Sequence, residues 1–230
     1  MTIDITSNLT AIHQQIELSC QRCQRDPAQV ELIAVSKRKP AALIEQAREA
    51  GQMLFGENYV QEFCDKQQQL PQDICWHFIG ALQTNKVKYL RGRTAMIHSV
   101  DRLALAQEID KQWSKIDQVA DILIQVNIAK EASKAGVAPE DAAELIGAVA
   151  KLPHVRINGL MALPPSVDEA EQARLWFRQV RQLAASIDAL NIPKVSMEHL
   201  SMGMSHDFAI AIEEGATLVR VGTAIFGSRE

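Results

Sequence analysis

Short apolar runs, separated by stretches in which apolar residues recur every three or four positions, organise this chain. The runs are Leu32–Ser36, Met53–Phe55, Cys75–Ile79, Ala95–Val100, Asp121–Ile128, Arg156–Leu163, Val195–Met202 and Thr217–Val221. Near-continuous apolar runs of this kind read as strands of a parallel sheet buried on both faces. Ahead of them, Leu9, Ile12, Ile16, Cys20 and Cys23 make a helical stripe, and a helix is expected over residues 5–24. Pro40 opens a second helix that stops at Gly51, a residue suited to the position after a helix end. Asp101 is expected to cap a helix carrying Leu105, Ile109 and Trp113 on one face, and Pro139 to open another with Leu145, Ile146 and Val149. The longest helix is expected over Asp168–Leu190, with Ala173, Trp176, Phe177, Val180, Leu183 and Ile187 as its stripe, and a last one over Asp207–Glu214.

This alternation of strands and helices places the chain in the α/β class as a single (β/α)8 TIM-type barrel with an additional N-terminal helix. A doubly wound open sheet is the alternative. One domain is expected over residues 1–230, with residues 1–30 packed on the barrel as the extra helix. The connection Ala129–Ala138, with Lys130, Glu131, Ser133, Lys134 and Gly136, is a candidate mobile loop.

Composition narrows the function. A net charge of −4 shows no basic excess, which argues against a dedicated nucleic-acid binder. No apolar stretch reaches the length of a membrane span, and the polar N-terminus lacks a signal-peptide core, so a cytoplasmic location is expected. Cys20 and Cys23 form a C-x-x-C, but they continue the first helix's apolar stripe, and Cys64 and Cys75 supply no second such pair. Core cysteines are the expectation. No two histidines share metal-ligand spacing on one element, and His77 and His98 read as hydrogen-bonded structural groups.

The candidate chemistry lies at strand ends. Lys37 closes the run Leu32-Ile33-Ala34-Val35-Ser36, near the carboxyl end of a core strand, where α/β folds place their chemistry. An amine against apolar surface can lose its proton near neutral pH and attack a carbonyl. The plainer reading is a first solvated residue beside Arg38 and Lys39. Arg220 stands inside the apolar run of the last strand, where a guanidinium needs an acceptor, a ligand or a structural ion pair. Gly222 and Thr223 follow at once and open a short helix, an arrangement that can cradle a phosphate. The preceding strand ends in Leu200-Ser201-Met202-Gly203-Met204-Ser205-His206-Asp207. Ser205 is a candidate helix cap, or Ser201 and Ser205 could supplement backbone N–H groups around a phosphate. In a barrel the loops after strands 7 and 8 are the usual phosphate site, and strand 1 adjoins strand 8. A reactive amine and a phosphate grip at one cavity suggest a phosphorylated aldehyde held as a Schiff base. Pyridoxal 5′-phosphate and an aldol-type sugar phosphate both satisfy this.

Further motifs carry a resemblance. They are Ala34-Val35-Ser36-Lys37 with Lys39-Pro40, Phe55-Gly56-Glu57-Asn58-Tyr59-Val60-Gln61-Glu62, and His77-Phe78-Ile79-Gly80 with Leu82-Gln83 and Asn85-Lys86. Ile97-His98-Ser99-Val100-Asp101, Ser133-Lys134 with Gly136, and Gly159-Leu160-Met161 continue the series. It closes with Leu200-Ser201-Met202-Gly203-Met204-Ser205 and Asp207, then Val219-Arg220-Val221-Gly222-Thr223-Ala224-Ile225-Phe226-Gly227. Through nearly its whole length the chain resembles the YggS/PROSC family of pyridoxal-phosphate-binding homeostasis proteins, similar in fold to the barrel domain of alanine racemase. No cofactor-contacting motif departs from the family pattern, although Ala81 and His206 occupy positions that vary. The resemblance implies that pyridoxal 5′-phosphate is the cofactor, that Lys37 forms its Schiff base, and that Arg220 faces the pyridine nitrogen. It also implies that Ser201, Met204, Ser205, Gly222 and Thr223 surround the phosphate and that Asn58 lines the pocket near the ring. An arginine only donates, so the ring nitrogen would stay unprotonated and carbanion stabilisation would be weak.

A non-catalytic carrier for intracellular pyridoxal phosphate homeostasis is therefore the expected function. Its partners would be the small-molecule cofactor and, transiently, pyridoxal-phosphate-dependent apo-enzymes, with no nucleic acid, no membrane and a monomeric state. A racemase-like enzyme is the alternative, and a Schiff-base aldolase a distant third. Racemisation needs a second acid/base opposite the lysine, supplied in racemases by a tyrosine of an additional β domain. The chain ends at Glu230 soon after the last strand, and its tyrosines, Tyr59 and Tyr89, lie in segments unlike the racemase tyrosine's.

Overall fold

The computed structural model describes residues 3–131, 133–165 and 167–227. Each apolar run is a strand: β1 (Glu31–Val35), β2 (Leu54–Glu57), β3 (Cys75–Phe78), β4 (Met96–Val100), β5 (Ala120–Val126), β6 (Val155–Ala162), β7 (Val195–Met204) and β8 (Leu218–Val221). They pair in parallel and in chain order, and the ring closes where Leu32 registers against Val219 and Ala34 against Val221. That pairing excludes the open sheet, whose outer strands would remain edges. The helices are α1 (Ile5–Arg22), α2 (Ala41–Glu49), α3 (Val60–Gln69), α4 (Leu103–Ser114), α5 (Ala142–Val149), α6 (Arg174–Asp188), α7 (Phe208–Glu213) and α8 (Thr223–Phe226). A 3-10 segment, Thr84–Tyr89, stands between β3 and β4 in place of an α-helix.

Side-chain alternation along each strand divides the apolar residues into two cores. Ile33, Met96, Leu123, Met161 and Leu218 fill the barrel interior. Leu32, Ala34, Phe55, Phe78 and Val219 pack outward with the helices, including Ile44 of α2, Phe63 of α3 and Phe177 of α6. The inward face of β1 continues from Ile33 through Val35 towards Lys37, and that of β8 from Leu218 through Arg220 to Gly222. Two steps of the same period therefore carry the amine and the guanidinium to one end of the barrel.

Helix α1 starts at Asp4, whose carboxylate accepts the Ser7 amide N–H at 3.0 Å. It buries Ile5, Leu9, Ile12, Ile16 and Cys20, most of the expected stripe, and packs on α2, α7 and α8. Asn8 donates to the Ile225 carbonyl at 2.9 Å, and Arg25 donates to the carbonyls of Ile212 and Ala216 at 2.7 and 2.9 Å. The extra helix thus braces the last two βα units. All four cysteines are free, with Cys20 in the core.

Two boundaries differ from expectation. Arg102, not Asp101, precedes α4, and Asp101 pairs with the Arg102 guanidinium instead of capping the helix. The helix expected over Asp168–Leu190 begins at Arg174, after a 3-10 turn at Ala170–Ala173, and its 15 residues make it shorter than the 18-residue α1. The connection after β5 contains Ala132, which lies outside the described residues. Its described part is pinned: Asn127 donates to the carbonyls of Glu131 and Lys134, Gln125 to that of Ala135, and Lys134 to that of Leu163. No helix among the described residues is long and apolar enough to cross a membrane.

Candidate cofactor site

A cavity of about 320 Å³ opens at the carboxyl ends of the strands, lined by Lys37, Asn58, Met204, Ser205, Arg220, Gly222 and Thr223 among others. Small-molecule sites in barrels occupy this face. Seven of the residues expected to hold the cofactor meet here. Ser201 does not: it is fully buried one inward step below Gly203, and its hydroxyl is engaged by Arg220 and His98. Strand register explains the difference, because Ser201 points to the barrel interior at the level of Leu218, one inward step below Arg220, and not to the rim.

Lys37 is half-buried in the tight turn after β1, closed by the Lys39 amide donating to the Ser36 carbonyl at 3.0 Å. Arg38 sits at φ +58° and turns outward, its guanidinium over the Tyr59 ring at 5.5 Å. Lys39 turns back and lines the cavity. Asn58 follows β2 and is fixed by a close approach of Gly80, where a Cβ would stand 2.1 Å from the Asn58 carbonyl oxygen. The buried Oδ1 of Asn58 has no hydrogen-bond partner among the described residues. An acceptor in that state at a cavity wall calls for a donor from a ligand or water.

Arg220 is buried, and burial pushes its guanidinium down to about 10, so it remains charged at neutral pH. Its hydrogen bonds go to the Ser201 hydroxyl and, at 2.9 Å, to the Ala162 carbonyl. Neither acceptor is an anion. No described carboxylate forms an ion pair with it, so the structural salt bridge is not its explanation; Asp207 acts only at longer range. Its unspent donors can serve a ligand acceptor.

The rim beside Arg220 is built from the ends of β7 and β8. Gly203, at φ +88°, passes so close to α7 that a Cβ would lie 2.6 Å from that of Ala211. The Met204 amide donates to the Asp207 carboxylate at 2.6 Å, which folds Met204 and Ser205 over the cavity. Asp207, not Ser205, precedes α7, so Ser205 is no helix cap. Its hydroxyl instead accepts the Gly222 amide N–H at 3.4 Å, across the gap between the two loops. Gly222 lets its backbone lie against Val35, whose carbonyl oxygen would be 3.1 Å from an added Cβ.

The cavity also includes Lys39, of the basic triplet after β1, and Val35, Ile79, Leu163 and His206, which sequence reasoning did not select. Ile79 and Leu163 each close an apolar run at the same barrel end as Lys37, a signal available in the pattern. His206 is exposed, with a ring nitrogen 3.2 Å from the Asp168 carbonyl, and nothing in its sequence setting marks it. Among the described residues no cluster of His, Cys, Asp and Glu could hold a metal ion.

A closed parallel barrel with a lysine, an uncompensated arginine and a glycine- and hydroxyl-bearing rim at its carboxyl face defines a barrel-type small-molecule binder. Residues 7–230 match the family model described as alanine racemase, N-terminal domain. A pyridoxal phosphate homeostasis protein of Aquifex aeolicus is 45% identical over 223 residues, spanning 96% of this chain and 97% of that protein. One from Escherichia coli is 42% identical, spanning 99% of this chain and 97% of that protein. The solved structure of PipY from Synechococcus elongatus with pyridoxal phosphate bound superposes with a TM-score of 0.83 at 38% identity, covering 97% of this chain and all of PipY. This chain belongs to the alanine racemase N-terminal domain family and, within it, to the pyridoxal phosphate homeostasis proteins.

Proposed function

We propose that this chain binds pyridoxal 5′-phosphate as an intracellular carrier and buffer of the cofactor, with Lys37 as the covalent anchor and without substrate turnover. The single observation that carries the reading is the convergence of Lys37, the unpartnered Asn58 Oδ1 and the uncompensated Arg220 on one cavity. The bound cofactor supplies an aldehyde for the amine, a ring nitrogen that accepts, and a phosphate dianion. The chain's residues fit each part. Lys37 reaches the aldehyde, and Arg220 donates to the ring nitrogen. The Ser205, Gly222 and Thr223 rim with Met204 receives the phosphate, and Lys39 adds positive charge at the mouth. Asn58 stands beside the ring.

The carrier reading draws support from the make-up of the wall and from the relatives. The described lining residues include no carboxylate and no tyrosine, and the histidine among them, His206, is exposed with its ring nitrogen at the Asp168 carbonyl. The relatives at 45% and 42% identity are named homeostasis proteins. Alanine racemase from Clostridium difficile shares the fold, with a TM-score of 0.74, but only 14% identity. Transient contact with apo-enzymes that receive the cofactor belongs to the same proposal.

The test begins with purified protein, which should be yellow, and borohydride should fix the cofactor to Lys37 as read by mass spectrometry. Lys37→Ala should lose the fixed adduct and retain weaker, phosphate-held binding. Cofactor release to an apo-enzyme is then compared with turnover of a panel of D- and L-amino acids. Protein that takes up no pyridoxal phosphate would sink the reading, and robust turnover would overturn its non-catalytic part.

A further inference from the structure

Below the cavity, one chain of hydrogen bonds crosses the barrel interior. Arg220 of β8 donates to the Ser201 hydroxyl of β7. Ser201 Oγ lies 2.9 Å from His98 Nδ1 of β4, and His98 Nε2 lies 2.9 Å from His77 Nδ1 of β3. β4 and β7 are not neighbours in the ring, so the contact runs through its centre. All four side chains are buried.

Donor and acceptor counting gives the chain a direction. A guanidinium only donates, so Ser201 Oγ must accept from Arg220. The serine O–H then needs an acceptor, and in the structure the one beside it is His98 Nδ1. If His98 Nδ1 carried the proton instead, a fully buried hydroxyl hydrogen would be left without a partner. His98 is therefore protonated at Nε2 and donates to His77 Nδ1, and His77 in turn carries its proton on Nε2. Both rings must be neutral for this arrangement, and burial holds both well below the ordinary histidine range.

We propose that His98 and His77 are positioning residues. Through the Ser201 hydroxyl they hold the Arg220 guanidinium in one orientation, with its unspent N–H donors turned to the cavity. Its effect on the cofactor rests on the function proposed above; the orientation of Arg220 does not. Ser201 thus has a role in the site without touching the ligand.

The experiment reads both levels. In cofactor-free protein at neutral pH, long-range nitrogen–proton NMR should show His98 and His77 as Nε2–H tautomers, and Arg220 should give resolved, slowly exchanging guanidinium signals. His98→Asn keeps an acceptor at the Nδ1 position and should keep those signals. His98→Leu should collapse them. With pyridoxal 5′-phosphate added, His98→Leu should bind roughly tenfold more weakly, the loss of about one hydrogen bond, and shift the visible band of the bound cofactor. His98→Asn should stay near the wild type. Circular dichroism establishes folding, and Ser201→Ala provides the same break should His98→Leu fail to fold. Nδ1–H tautomers, or Arg220 signals unchanged in folded His98→Leu and Ser201→Ala, overturn the proposal. If the Arg220 signals respond but no variant, wild type included, takes up the cofactor, the functional reading fails and the positioning role stands.

Discussion

Lys66 reaches from α3 to the Ser36 carbonyl at 2.8 Å and to the Glu57 carboxylate at 2.6 Å, directly behind the turn that carries Lys37. Ser36 donates its hydroxyl to the same carboxylate oxygen at 2.6 Å, while Glu62 accepts from Lys66 and from the Arg38 amide. The residues on either side of Lys37 are thus tied to β2 and α3. Burial pushes the Glu57 carboxyl up, against the pull of Lys66 and Ser36, and its Oε2 has no partner among the described residues. Lys66→Met would strand that carboxylate, and a loss of about 3–5 kcal/mol is expected, with weaker cofactor retention. Adding Glu57→Gln should recover part of the loss, because the remaining charge is removed with its partner. Denaturant melts of the single and double variants check this, and an unaltered midpoint in Lys66→Met would refute it. Gly203→Ala tests the rim: a Cβ at φ +88° and 2.9 Å from the Phe208 Cα is both strained and overpacked. A destabilisation of about 1–3 kcal/mol is expected in the same melts, with a larger effect on cofactor affinity than substitutions on the barrel floor.

Between elements, the brace from Arg25, just after α1, supports the site. Arg25 satisfies the carbonyls of Ile212 and Ala216, at the end of α7 and just before β8, and so holds the connection that delivers Arg220. Arg25→Ala leaves those carbonyls to water. The expected cost is about 1.5–3 kcal/mol, the range for a hydrogen bond from a charged donor. Hydrogen exchange should rise over residues 207–222 while β3 to β5 stay protected, and uniform exchange would argue against a local brace. The strands and helices themselves were legible in the sequence, because doubly buried parallel strands are apolar throughout and the helices carry stripes. The lysine and arginine were legible as charges interrupting such runs. What the sequence withheld lies between distant segments. The Asp101 cap failed because the neighbouring Arg102 competes for its carboxylate. Ser201 was expected beside the phosphate but lies below the cavity, engaged by Arg220 and His98, because a strand's inward face does not say at which depth a residue sits. His98 and His77 looked bland singly, since their meaning comes from strands β7 and β8, more than 100 residues further along the chain.

Across the whole molecule, holding two uncharged histidines inside the barrel makes folding depend on pH. In the unfolded chain both titrate near 6.5. In the fold, burial brings His77 to about 4 and holds His98 well below the ordinary range; His199 opposes the charge of both, His77 and Arg220 that of His98, and Asp121 favours that of His77. Between those values the unfolded chain binds protons that the folded one does not, so stability is complete above about 6.5 and falls as the pH drops towards 4. By pH 5 His77 alone should have removed about 2 kcal/mol, on a scale of roughly 1.4 kcal/mol per pH unit, and His98 acts in the same direction. The lowered carboxylates do not confuse the measurement: Glu214, held down first by its hydrogen bond from Arg178, loses its contribution only as the pH falls below its ordinary 4.5. Glu57 works in the opposite sense, since a raised carboxyl stabilises most at low pH. Denaturant melts at pH 7.5, 6 and 5 should therefore show stability sloping downward below about 6.5. A His77→Gln, His98→Asn variant should flatten that slope while keeping neutral hydrogen-bonding groups in the interior. A wild-type protein equally stable at pH 7.5 and 5 would mean that the barrel accepts a charged imidazolium, and the directed chain from His77 to Arg220 could not then be the state that prevails.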